Sequence, residues 1–147
     1  MGAQITIQAI TKATPQLCDN LSVLVSQLGP AHQRELTIEH IEEVIKSPTN
    51  TLLIAENEEG DAIGMLLMIS FPAVTGYKTW IEDVIVDEKH RRQGIAKALF
   101  DEAISLARTK KLTHINLTVR PHRAEANELY AKLGFEPHET NYYRYVL

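Results

Sequence analysis

The 147-residue chain is 44% hydrophobic and 23% charged, with a net charge of −4 at neutral pH; this fits one soluble domain over 1–147 and argues against a general nucleic-acid binder, which is more often basic. Its one cysteine, Cys18, excludes an intrachain disulfide and a cysteine-based zinc cluster. Neither a secretory signal nor a bilayer-length apolar run is visible, so no membrane role and a cytoplasmic location are expected.

Residues 4–10 alternate, with Ile5 and Ile7 on one side, and predict a half-buried strand. Thr14-Pro15 reads as a helix start, Thr as N-cap and Pro at the first helical position, and Leu17, Leu21, Leu24, Val25 and Leu28 follow at helical spacing until Gly29-Pro30. Cys18 reads as a small apolar side chain on that helix. A second helix is predicted from the cap Thr37 through Ile38, Ile41 and Ile45, with Pro48 just past its end. The polar connection 31–36 either shapes a substrate pocket or simply joins the helices. Strands over 51–55 and 62–71 enclose the turn 57–61 as an antiparallel hairpin, and a third strand follows Gly76 over 77–86.

A long helix is predicted from about Arg91 to Lys110, burying Ile95, Leu99, Ala103 and Leu106, with Lys110-Lys111 at the negative end of its dipole. Residues 114–119 alternate as a strand which, after a crossover helix, pairs parallel to 81–86. A short helix over about 123–133 closes at Gly134, and the aromatic tail 141–147 alternates as a final strand. The predicted class is α/β, an α+β mixed sheet, predominantly antiparallel with a parallel central pair and flanked by helices.

The stretch from Val84, Ile85 and Val86 into Arg91-Arg92-Gln93-Gly94-Ile95-Ala96-Lys97 passes from strand through a charged turn to a helix start. Unpaired helix N–H groups, two small residues and three cations make an anion site, although a solvated basic helix start is the bland reading of the same residues. Neither a P-loop nor a Gly-x-Gly-x-x-Gly pattern is present. What stands at 91–96 resembles the Gln/Arg-x-x-Gly-x-Gly/Ala signature of the GNAT acetyltransferase superfamily. A second stretch, with Asn127, Leu129-Tyr130 and Leu133-Gly134-Phe135, resembles that family's second signature, and the order of elements resembles its fold along nearly the whole chain.

The resemblance implies acetyl-CoA as co-substrate, its pyrophosphate held by Arg91, Arg92, Gln93, Gly94, Ile95, Ala96 and Lys97. Its pantetheine arm and thioester would meet the backbone of Val84, Ile85 and Val86, beside a β-bulge expected between 83–86 and 117–119. Asn127 would contact the cofactor; without the resemblance it reads as a solvated helix residue. Tyr130 would protonate the leaving thiolate; without it, Tyr130 is a core aromatic whose hydroxyl needs a partner.

Glu82 is the candidate base, acting through water. It shares a strand face with Trp80, and the Ile-Glu-Asp-Val run resembles one in sugar-phosphate and small-amine members of the family. Asp83 or a water chain is the alternative. Some protein acetyltransferases of the family place a glutamate where Thr118 stands here. The six histidines show no metal-ligand pattern, so no metal is expected, and His90 either assists anion binding or is a solvated turn residue.

Cys18 lies outside these motifs with no histidine base beside it, which favours direct transfer over a covalent acyl-enzyme. The implied activity is acetyl transfer to a primary amine of a small molecule. A protein N-terminus or lysine as acceptor, or a non-catalytic acyl-CoA sensor, is the alternative. The tyrosine-rich tail is able to pair with a second subunit, which makes a homodimer an open expectation.

Overall fold

Alternating segments in the first part of the chain assemble into one antiparallel sheet. The computed structural model describes residues 3–147, which fall into two units divided between Leu117 and Thr118. In the first unit the strands β1 (Thr6–Ala9), β2 (Asn50–Glu56), β3 (Ala62–Ala73) and β4 (Gly76–Val86) lie in the order β1-β2-β3-β4, all antiparallel. Asn57 closes the β2–β3 turn, its Oδ1 accepting from the backbone of Glu59 and Asp61 at 3.1 and 2.8 Å.

Helices cover both faces. On one lie α1 (Pro15–Ser26) and α2 (Ile38–Lys46), whose Leu17, Cys18, Leu21, Leu24 and Ile41 join Leu52, Ile54, Met65, Leu67 and Ile85 in a buried cluster. The side chains between these, Leu53, Ala55, Leu66 and Met68, are buried on the opposite face. There α3 (Ile95–Thr109) buries Ile95, Leu99, Phe100, Ala103 and Ala107. Both expected caps form: Thr14 accepts from Leu17 N at 3.1 Å and Thr37 from His40 N at 3.2 Å.

Five expectations change. The helix expected from about Arg91 begins at Ile95, because Arg92 (φ 61°) and Gly94 (φ 79°) are left-handed and cannot continue a right-handed helix. Leu28 lies past the end of α1 and is exposed, while Leu106 is only half-buried and Phe100 and Ala107 take its place in the α3 stripe. The strand expected over 114–119 reduces to one parallel bridge, Trp80 to Asn116, with Ile81 N donating to Asn116 O and Asn116 N to Thr79 O, both at 2.9 Å. The tail 141–147 forms no strand; its unit has no second strand to supply a ladder, and Tyr142, Tyr143, Tyr145, Val146 and Leu147 are exposed.

The second unit holds one helix, α4 (Ala124–Leu133), ended by Gly134 in the left-handed conformation (φ 94°). That turn sends the chain back, so Phe135 N donates to Tyr130 O at 2.9 Å. Among the described residues no helix is long and apolar enough to cross a membrane.

Candidate active site

Strand β4 is the edge of the sheet, and it is irregular where the signature begins. Met65 pairs with Ile85 and Leu67 with Glu82, so Asp83 and Val84 together face the single residue Leu66. This is a β-bulge, with Asp83 at φ 52°. The expected bulge is therefore present in β4, but it lies against β3 rather than against 117–119.

The bulge changes which side chains share a face. Without it, Glu82 and Ile85 would point to opposite sides; with it, both follow Leu67 and Met65 onto the α1–α2 face. Trp80, opposite Ile69, lies on that face too. Glu82 is exposed, so its carboxylate carries no burial penalty there, and the bulged Asp83 is exposed as well.

After β4 a 3-10 turn at Glu88–His90 leads to the loop 91–94. Asp87 is its hub. Asp87 Oδ1 accepts from Gln27 Nε2 at 3.0 Å, Oδ2 lies 2.9 Å from His90 Nδ1, and Gln27 Oε1 accepts from Glu88 N at 3.0 Å. Partial burial pushes the Asp87 carboxyl up, but the hydrogen bonds from Gln27, His90 and the Lys89 backbone outweigh it and hold the group below its ordinary value. The end of α1 is thereby tied to the turn that aims the loop. This network was not read from the sequence, where Gln27 carried no motif; His90 serves it as a local partner of Asp87.

At the helix start, Gly94 is the N-cap, and no side chain caps α3. Ala98 N is bonded to Gly94 O at 3.0 Å, which leaves the amides of Ile95, Ala96 and Lys97 without intrahelical partners. A Cβ on Gly94 would meet nothing within 4 Å. The space beside Gly94, next to these amides in the chain, is open, as an approaching phosphate requires.

The surrounding side chains divide. Arg91 and Arg92 are exposed, and Arg91 Nε donates to Val86 O at 3.2 Å, so this carbonyl is already engaged. Lys97 Nζ sits 2.6 Å from Asp101 Oδ2, which offsets part of its charge. Gln93 lines a separate small cavity of about 200 Å³ with Ile5, Asn57, Ile63 and His90. Val84 and Ile85 keep their expected place at the end of β4, and Ile95 is buried beneath the loop.

Gly64, also missed in the sequence, fixes the height of α3 over the sheet. A Cβ there would stand 3.0 Å from Ile95 Cγ2 and 3.4 Å from Leu99 Cδ1. Gly64→Val should destabilise the fold by roughly 1–3 kcal/mol, seen as a lower urea midpoint, and weaken acetyl-CoA binding by lifting the first turn of α3. Unchanged affinity in the folded variant would detach the loop from this packing.

In the second unit, Tyr130 lies on α4, half-buried, with its ring edge-on to Phe135 at a centroid distance of 6.0 Å. Burial pushes its phenol up and the Arg123 cation pulls it the other way; the net direction is up, so the hydroxyl keeps its proton at neutral pH. Asn127 departs from expectation in part. Its Nδ2 donates to Arg120 O at 3.2 Å and Arg123 O at 2.8 Å, bracing the turn before α4, so only Oδ1 is left to face a ligand.

Cys18 is buried, and burial first, then Asp19, Glu39 and Glu42, pushes its thiol up, away from the nucleophilic thiolate. Among the described residues no group of three His, Cys, Asp or Glu is placed to hold a metal ion.

Comparisons with known proteins bear on this arrangement. Human N-acetyltransferase 8 is 33% identical over 85 residues, 56% of this chain, and the chain spans only 37% of that protein's length. A transcriptional regulator from Bacillus halodurans is 27% identical, with a TM-score of 0.81 over 97% of this chain and all of that one. AAC(6')-Iy, solved with the bisubstrate analogue CoA-S-monomethyl-acetylneamine, is 19% identical with a TM-score of 0.78, covering 99% and 100% of the two chains, and shares the fold. The sequence model of the Acetyltransferase (GNAT) family matches residues 19–135, most of the chain and both signatures. The chain belongs to the GNAT acetyltransferase family.

Proposed function

We propose that the chain transfers the acetyl group of acetyl-CoA directly to a primary amine of a small molecule. The observation that carries this reading is the left-handed Gly94 at an uncapped helix start, directly after the bulged end of an edge strand. The amides of Ile95, Ala96 and Lys97, with Arg91 and Arg92, would hold the pyrophosphate. The bulged segment around Val84 and Ile85 would offer backbone groups to the pantetheine arm and thioester, since a sheet edge has unpaired N–H and C=O groups.

Acetyl-CoA supplies an activated carbonyl; the chain must orient it and manage two protons. Glu82, on the α1–α2 face with Trp80, would accept the proton of the attacking amine through water. The amine nitrogen forms its bond to the carbonyl carbon, the carbon–sulfur bond breaks, and the Tyr130 hydroxyl gives its proton to the departing thiolate. A buried, protonated Cys18 supports transfer without an acyl-enzyme.

A small amine as acceptor draws support from AAC(6')-Iy, whose structure contains an acetylneamine analogue. The test is CoA release from acetyl-CoA over a panel of aminoglycosides, polyamines, amino sugars, peptides with free N-termini and lysine peptides. Turnover confined to the small amines supports the reading, and turnover confined to peptides replaces the acceptor class. The fold neighbour named as a transcriptional regulator favours a second reading, acyl-CoA binding without transfer, which tight binding with no turnover on any amine would select. Glu82→Gln should lower kcat/KM for CoA release by about 10- to 100-fold; an unaltered kcat/KM would pass the proton to Asp83 or to water.

A further inference from the structure

We propose that the groove at the opposite end of α3 from Gly94 is a second anion site, taking a small phosphorylated molecule of nucleotide size. It is a depression of about 600 Å³ between the start of β4 and the turn after α3, within the range of small-molecule sites. Lys78, Lys110, Lys111 and His114 line it, and no Asp or Glu does. None of the three lysines enters an ion pair among the described residues. On a chain of net charge −4, so many unneutralised cations around one concavity focus a positive potential that an anion would relieve.

The negative end of the α3 dipole accounts for part of this charge, since Lys110 is the C-cap and Lys111 follows it. It does not account for Lys78, which reaches the same space half-buried from β4. Nor does it explain the residue type at 111. Lys111 sits at φ 56°, with its N–H bonded to Arg108 O at 3.0 Å and Leu112 N to Ala107 O at 3.0 Å, a helix-ending turn where glycine is favoured and a lysine is strained. The strain is explained if the lysine head is needed in the groove.

The remaining lining suits a phosphorylated ligand with a ring. Thr113 adds a hydroxyl, bonded to His114 Nδ1 at 2.8 Å, and Tyr77, 61% exposed, offers an aromatic face for a base. The groove is separate from the Gly94 loop: α3 has 15 residues, which puts its two ends about 22 Å apart. A ligand here would act as an effector or docking group, not as the acyl donor.

The test is calorimetric titration of ATP into the full chain saturated with CoA, at low and at high salt. One ATP should bind, more weakly at high salt, and the double variant Lys78→Ala with Lys110→Ala should weaken it about tenfold or more, a loss of at least about 1.4 kcal/mol. Lys111→Gly separates binding from folding: glycine relieves the backbone, so the melting temperature should hold or rise while ATP affinity falls. CoA titrations should be the same in all variants. Absence of ATP binding, binding only by displacement of CoA, or binding that survives all three lysine replacements would overturn the proposal. Because the lysine variants carry the result, it is independent of whether acetyl-CoA binds at Gly94.

Discussion

Tyr130→Phe should lower kcat for acetyl transfer by about 10²- to 10³-fold while leaving the KM for acetyl-CoA within about twofold. The substitution removes one oxygen and keeps the ring, so the edge contact with Phe135 and the Gly134 turn that supports it survive. On the proposed mechanism what is lost is the proton donor to the thiolate; burial holds the pKa of this hydroxyl up, so it carries its proton at neutral pH. Its effect belongs in the step where the thiolate departs, which is why it falls on kcat. Acetyl thioester donors with a better leaving group should be less sensitive to the substitution, because their thiolate needs less help from an acid. A variant that retains full kcat would return Tyr130 to the role of a packing aromatic.

Gly94→Trp should weaken acetyl-CoA binding by about 100-fold or more, beyond about 2.7 kcal/mol. Two effects combine. At φ 79° any L side chain is strained, and the indole would fill the open space beside Gly94 at the start of α3. Gly94→Asn is the control, because asparagine tolerates the left-handed conformation and its short side chain blocks less. It should keep the fold and lose far less affinity, measured by calorimetry alongside the melting temperature. Equal losses in both variants would mean that backbone strain, not occupied space, governs the site.

How far the sequence reveals this arrangement depends on how local each signal is. Helix caps at Thr14 and Thr37, the Asn57 turn and the antiparallel run β2–β3–β4 rest on neighbours within a few residues, and all are legible. The Gly94 turn is legible as a motif, though not its geometry: the left-handed Arg92 and Gly94 delay the helix to Ile95, a choice that periodicity alone does not reveal.

Long-range features are hidden for a different reason. The bond from Gln27 to Asp87 joins residues 60 apart, and the close approach of Gly64 to Ile95 depends on how α3 lies on the sheet. Neither leaves a periodic trace. Strands are subject to the same limit, since alternation over 114–119 and 141–147 states a preference while a ladder needs a partner; one forms a single bridge and the other none. Asn127 shows that a motif position can have local work as well, its amide spent on the turn before α4.

The most direct test of the central claim is calorimetric titration of acetyl-CoA into the wild-type chain, repeated with Gly94→Trp. One acetyl-CoA should bind per chain with micromolar affinity, and binding should be lost in the variant. No binding by wild type up to millimolar acetyl-CoA, or equal binding by the variant, would contradict the assignment of the Gly94 loop as the acyl-donor site.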